Sequence, residues 1–249
     1  MNNVKIFFYD KPFIKTLPHH WRCEDINFYE YYTDYDTIEI YATSKHLKNL
    51  SNDKDIIKRA YTLIMLFNGS QIIGNKSFFY TLTIDSIYKN DTQISECFDN
   101  IDENPFIHNQ TQLKMFKYKF DEGLFCLAKK DFIIKTILLF YGLLKDPSKS
   151  NLNQNILNWS TLYKIYDTIK SIYNIRKLVA QELYRKINTF TGACNNMSIL
   201  GLHSRHGLTN NTPPSNIVSL EESIDIILKL TDYFLNKYLK EKNYIRYFK

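Results

Sequence analysis

The sequence predicts an α+β protein, with an N-terminal mixed strand and helix region over residues 1–110 and a C-terminal helical bundle over 111–249. Three observations carry this expectation. The first fifty residues hold short alternating apolar runs. The chain from about Leu113 onward is dominated by apolar residues at helical spacing. Between them, Asp99 to Asn109 is polar and contains a proline, so it reads as a linker or domain boundary.

Lys5-Ile6-Phe7-Phe8-Tyr9 is the first strand. Thr37 to Thr43 alternates as a half-buried strand does. The Tyr-rich, acidic stretch Asn27–Asp36 reads either as a strand edge or as a loop. Asp53 to Phe67 is a helix, with Ile56, Ile57, Ala60, Leu63, Ile64 and Phe67 on one face, and Asn68-Gly69 is expected to stop it. Ser77 to Tyr88 alternates as a second strand region, and Asn90-Asp91 supplies a turn. Phe132 to Leu144 is apolar nearly all round and is expected at the centre of a helical layer, ended by Asp146-Pro147-Ser148. Asn158 is placed as the cap of the next helix, whose stripe is Trp159, Leu162, Tyr163, Tyr166, Ile169 and Tyr173. Ile175 to Phe190 continues helical. Ser219 and Glu222 form a capping box ahead of a last helix that buries Ile224, Ile227, Leu228, Thr231, Phe234, Leu235 and Tyr238.

Composition bounds the function. Of 249 residues, 44% are hydrophobic, so a full core is available. The net charge of +6 is compatible with nucleic acid but does not diagnose it, because the acids and lysines are interspersed. Phosphate binding or a solvated helix end both account for the basic stretch from Lys237 to Lys249. The 19 Tyr and 17 Phe fit an AT-rich coding sequence; the alternative is a stacking surface for bases. Cys23, Cys97, Cys126 and Cys194 are too scattered for a zinc ribbon and read as reduced, partly buried thiols of a cytoplasmic protein. The N-terminus lacks the apolar core of a signal peptide. The most apolar run is too short to cross a bilayer and carries Lys135, so no membrane partner is expected.

Three clusters are candidates for chemistry. Gly201-Leu202-His203-Ser204-Arg205-His206-Gly207 combines imidazoles, which work as acid or base near neutral pH, with a guanidinium that holds phosphate. His203, Arg205 and His206 are the candidate catalytic residues, with Asn195 and Asn196 as amide contacts to the ligand. The competing reading has Arg205 and His206 capping a helix end or pairing with an acid. His19-His20-Trp21-Arg22-Cys23 holds metal-ligating types at a spacing wrong for a compact site, and reads as a surface turn with a half-buried Trp21. Lys129-Lys130-Asp131 brackets a helix start and reads as structural. No metal and no cofactor are expected.

One resemblance bears on function. Asn158-Trp159, Leu162-Tyr163-Lys164, Thr189-Phe190-Thr191, Asn195, Ser204-Arg205-His206-Gly207 and Ser219-Leu220-Glu221-Glu222 follow one another in order. This series resembles the C-terminal part of a group of uncharacterised bacterial proteins with an NW-x-x-LYK helix, an RHG turn and a final capped helix. Its layout is similar to HEPN helical domains, many of them RNases of toxin, abortive-infection and defence systems. The resemblance covers about the last hundred residues. HEPN nucleases place an Arg several residues before a His on one helix, whereas Arg205 and His206 are adjacent here and Arg185 lies far upstream. What the resemblance implies is a cytoplasmic bacterial defence- or toxin-type effector, a metal-independent RNase with Arg205 on phosphate and His206 or His203 as acid or base. The alternative is a non-catalytic interaction or scaffold subunit with an aromatic-rich helical surface, bound to a partner protein or to a second copy of itself.

Overall fold

The computed structural model describes residues 2–9, 12–32, 38–107, 117–201, 204–205 and 218–249. The protein is α+β. It divides into two compact units, Met1–Gly142 with Tyr247–Lys249, and Leu143–Arg246.

The first unit is built on an antiparallel sheet of order β2-β3-β1-β4-β5, from β1 (Val4–Phe8), β2 (Asn27–Tyr32), β3 (Ile38–Thr43), β4 (Ile84–Lys89) and β5 (Thr92–Ile94). The alternating residues of β1 and β3 pair as their pattern requires, Ile6 lying opposite Ala42 on one side and Ile87 on the other. Asn90 and Asp91 take positive φ (49° and 63°) and close the tight β4–β5 hairpin. Ile6, Phe28, Ile40, Ala42 and Ile87 bury one face of the sheet. Phe28 meets Phe67 of the long helix behind it, their rings 5.5 Å apart.

That helix, α2 (Asp53–Asn75), is capped by Asn52, whose side chain accepts from the Lys54 amide. It does not stop at Asn68-Gly69. Gly69 is there because a backbone crosses it: a Cβ at this position would stand 1.9 Å from the Leu138 carbonyl oxygen of α4 (Phe132–Leu143). Gly142 of α4 is the counterpart, 2.0 Å by the same measure from the Met65 carbonyl oxygen. Asn68 uses its amide as a backbone substitute, donating to the Leu82 carbonyl (2.9 Å) and accepting from the Leu82 amide (2.7 Å). The helix ends on Lys76 in the left-handed region, φ 54°.

The expected strand from Ser77 is a turn instead. Ser77 Oγ accepts from the Phe79 amide and the Phe78 carbonyl from Thr81, while Phe79 and Tyr80 pack on Phe13. The strand starts only at Ile84. The polar segment 99–107 is no free linker. Asp102 accepts from Arg59 Nε at 2.6 Å and its amide donates to Thr62 Oγ1, so the segment is fastened along α2. Next, α3 (Phe120–Leu127) packs on α2, with Gln71 Nε2 donating to Asp121. Both α3 and α4 therefore belong to the first unit, and the division falls at 142/143 rather than near residue 110. Residues 108–116 lie outside the described residues.

The second unit is helical. α5 (Leu152–Ile172), α7 (Gln181–Cys194) and α9 (Leu220–Glu241) pack on one another. Asn158 does not cap α5. Asn151 does, in a capping box with Gln154. Asn158 is buried about two turns further in, where its amide bonds both the carbonyl and the amide of Lys145 at 2.9 Å. The expected helix from Ile175 to Phe190 breaks into α6 (Ile175–Leu178) and α7 at extended Val179 and Ala180. α9 has the expected capping box and buries the expected stripe. The short helices α1 (Leu17–His20) and α8 (Met197–Leu200) complete the set among the described residues.

The two glycines at the α2–α4 crossing generate a prediction. Gly69→Ala should cost about 1–3 kcal/mol, because the added methyl forces two backbones apart. Ser219→Ala, which removes only the cap of α9, should cost about 1 kcal/mol. Urea denaturation of both variants tests the crossing; a Gly69→Ala protein as stable as the parent would mean that the helices do not touch there.

Candidate functional site

Three places were open to carry function, and the described residues give each a definite character. The first is the block at the end of α7. Arg205 is held from three sides. Its amide donates to the Cys194 carbonyl at 2.7 Å, its guanidinium lies 4.4 Å over the Tyr163 ring, and Asp167 is 3.8 Å away. Tyr163 and Asp167 are one turn apart on α5, so a single helix face supplies both ring and acid. Asn196 is spent as the N-cap of α8, its Oδ1 accepting from the Ser198 amide (3.0 Å) and hydroxyl (2.7 Å). Asn195 is the C-cap of α7, and its sheltered Oδ1 has no hydrogen-bond partner among the described residues. Gly201 has φ 55°, a conformation open to glycine. Burial pushes the Cys194 thiol up to about 12, against a small opposing pull from Arg205. His203 and His206 lie outside the described residues. Arg205 and Asn195 are thus brought to the same helix end, with Arg205 occupied by an acid and a ring.

The basic stretch from Lys237 is spread along α9 and beyond: Lys237 lies 4.4 Å over the Tyr173 ring with Glu241 3.8 Å off, and Lys242 covers Tyr238. These are the contacts of a solvated helix end.

The second place was not expected. Cys23, Asp25, His46, Cys126 and Lys129 converge in the interior of the first unit. Asp25 is 1% exposed. It accepts from His46 Nε2 (2.8 Å), faces Lys129 Nζ (2.5 Å) and Lys45 Nζ (3.2 Å), and receives the Cys23 thiol at 3.4 Å. Burial alone would raise its carboxyl; the His46 hydrogen bond and the Lys129 ammonium outweigh it and hold the group well below the usual carboxylate range. Lys129 is raised in turn, since Asp25 overrides its own burial. His46 has no nitrogen left for catalysis: Nδ1 accepts from the Ile107 amide at 3.0 Å, which leaves the proton on Nε2 for Asp25. The cluster has the residue types of a Cys-His-Asp triad and lacks its order, because the imidazole never faces the thiol. Of the five, only Cys23 and Lys129 lie in clusters singled out by sequence. His19 and His20 do not join it; His19 bonds Glu30 at 3.1 Å. Trp21 is half-buried, as expected, and its ring packs on Phe28, Phe67 and Phe125.

The third place is the outer face of the sheet. Strand alternation turns Lys5 and Phe7 of β1, Tyr29 and Tyr31 of β2, Tyr41 of β3 and Tyr88 of β4 away from the core. Phe7 is the hub, with Tyr31, Tyr41 and Tyr88 at 6.3, 5.6 and 5.5 Å, and Tyr29 stacks on Tyr41. A bulge in the β1–β4 pairing leaves Asp85 as an extra, exposed residue. Lys5, Phe7, Tyr31, Glu39, Asp85 and Tyr88 line a groove of about 680 Å³ there. Lys5 is already paired with Asp91 at 2.8 Å, whereas Glu39 and Asp85 have no ion-pair partner among the described residues. This aromatic surface lies on a sheet, and the groove it lines carries those unpaired carboxylates.

No family model, curated protein or solved structure matches the chain. Among the described residues, no helix is long and apolar enough to cross a membrane.

The Asp25 cluster sets an expectation for stability. A carboxyl depressed in the folded state contributes stability that is present above its unfolded value, near pH 4, and lost as pH falls toward the folded value. Asp25→Asn should cost about 3–5 kcal/mol at pH 7, because Lys129 keeps a buried charge without its partner. Below about pH 4 the gap to the parent should narrow by about 1 kcal/mol per pH unit. Urea unfolding at neutral and acid pH measures it; a gap independent of pH would show that Asp25 is not the compensating charge.

Proposed function

We propose that this chain is a non-catalytic interaction subunit whose first unit holds a basic segment of a partner protein on the outer face of its sheet. The observation that carries the reading is the pairing of five aromatic rings with two carboxylates, Glu39 and Asp85, that lack a counter-charge within the described residues. A lysine or arginine side chain meets both needs there. Its aliphatic stem lies on the rings, its charge is drawn to their faces, and the carboxylates complete the contact. A nucleic acid fits this face poorly. Bases would stack on the tyrosines, but the phosphates would face Glu39 and Asp85, and Lys5 is engaged by Asp91.

The RNase reading leans on the resemblance to HEPN-type layouts and on His203 and His206. Arg205, its phosphate-binding member, is tied to Asp167 and Tyr163, which is what a structural arginine does.

A synthetic peptide alternating Lys and Leu should bind, and an acidic peptide of the same length and a polyuridine RNA should not. Tyr31→Ala and Glu39→Lys, both at exposed positions, should each weaken peptide binding by about tenfold without lowering the melting temperature. Calorimetry reads the affinities. Equal binding by both variants, or preference for the RNA, would overturn the proposal. RNA cleavage by the parent that vanishes in His206→Ala would put the RNase reading in its place.

A further inference from the structure

We infer that Cys23 and Cys126 are a redox pair, closing to a disulfide when the protein meets a peroxide. Their sulfurs lie 2.8 Å apart, and the residues are 103 positions apart in sequence. Cys23 sits in the connection from α1 to β2, and Cys126 in the last turn of α3. Both are 2% exposed. Nothing in the proposed docking of a partner on the sheet uses them.

The same residues invite a metal, since Cys23, Asp25 and Cys126 bring their ligand atoms together. Two distances decide against it. A tetrahedral zinc with bonds of about 2.3 Å holds two sulfurs about 3.8 Å apart, well beyond the separation seen. The oxygen that an ion would need already faces the Lys129 ammonium at 2.5 Å, so the cation position is filled by the protein itself. Sulfurs this close need to move by less than an ångström to reach the bonded distance of about 2.05 Å.

The chemistry balances with a small, neutral oxidant that can enter a packed interior. The Cys23 proton is directed at Asp25 Oδ2, so Cys126 makes the first attack. It gives up its proton and bonds one peroxide oxygen. The O–O bond breaks, and the departing hydroxide takes up the proton as water, leaving a sulfenic acid. Cys23 then attacks that sulfur, the S–O bond breaks, and the second hydroxide leaves with the Cys23 proton as water. In sum, two thiols and one hydrogen peroxide give one disulfide and two waters; the sulfurs lose two electrons and the peroxide oxygens gain them. Burial, the neighbouring sulfur and the Asp25 carboxylate keep the Cys23 thiol protonated in the resting protein, which makes the pair stable until an oxidant arrives. The closed form ties the entry to β2 onto α3 and shuts a loop of about a hundred residues, which restricts the unfolded chain.

The test uses the full chain with exposed Cys97 changed to Ser, leaving three cysteines. Hydrogen peroxide treatment, then alkylation in denaturant, should leave only Cys194 modified and yield a linked peptide holding Cys23 and Cys126. The melting temperature should rise by about 5 °C and return with dithiothreitol. If Cys97→Ser fails to fold, peptide mapping of the unsubstituted protein gives the same assignment. Recovery of Cys23 and Cys126 as alkylated thiols after peroxide, or as sulfinic acids without a link, would overturn the inference. So would one equivalent of zinc retained through dialysis with both thiols protected from alkylation in the folded protein.

Discussion

A single buried carboxylate sets the terms for the first unit. Asp25 is charged and shut away from water, a state that costs several kcal/mol unless partners surround it. Those partners come from separate stretches of chain: Lys45 and His46 just after β3, and Lys129 just after α3. The contacts then propagate. His46 takes the Ile107 amide on its far nitrogen, Phe106 stands edge-on to its ring, and its carbonyl receives Arg59, which also grips Asp102. Segment 102–107, polar enough to pass for a linker, is thereby bolted to α2 and to the core. Any arrangement that pulls α3 from the sheet strands an ammonium on one side and a carboxylate on the other.

With that centre in place, the sheet has one face to spend on the core and one to spare. The crossing of α2 and α4 at Gly69 and Gly142 brings those two helices backbone to backbone, while Phe28 and Trp21 fill the space between sheet and α2. The inner face is consumed by this packing. The outer face keeps its tyrosines, arranged around Phe7, because strand alternation leaves them no other side. The binding surface we propose is thus the remainder of a folding solution, distinguished from ordinary exposed tyrosine by the acidic residues at its rim.

Local signals were legible in the sequence, and long-range ones were not. The capping box of Ser219 and Glu222, the Asn90-Asp91 turn and the alternation of β3 depend on neighbours a few residues away, and all are present. Gly69 and Asn158 misled because each resembles a local device, a helix stop and a helix cap, while its real partner lies far off in space: Leu138 for one, the Lys145 backbone for the other. The break at Val179-Ala180 left no trace in the spacing, since Ile175, Val179, Leu183 and Ile187 recur every four residues as in an unbroken helix. The Asp25 cluster was invisible for the same reason as Gly69. Its members are scattered from residue 23 to 129, and no short window holds more than two of them. At Arg205 the sequence flagged a polar cluster, and the competing expectation of an acid partner named the right class of contact; Tyr163 and Asp167 come from a helix about forty residues earlier.

Charge distribution is the last link between fold and function. The chain carries +6 overall, which taken alone points toward nucleic acid. Several of its cations are used elsewhere, however. Lys129 and Lys45 neutralise Asp25, Arg59 holds Asp102, Lys89 holds Asp53, and Lys229 and Lys237 of α9 lie beside acids of their own helix. Lys5, which lines the groove beside Phe7 and Tyr88, is cancelled by Asp91. A protein that is basic in total thus presents acid where its aromatic rings are exposed. Because exposed charges interact over about 8 Å in physiological salt, the local sign at the groove, not the sum over the chain, selects what approaches it. That local sign favours a cationic side chain over a phosphate.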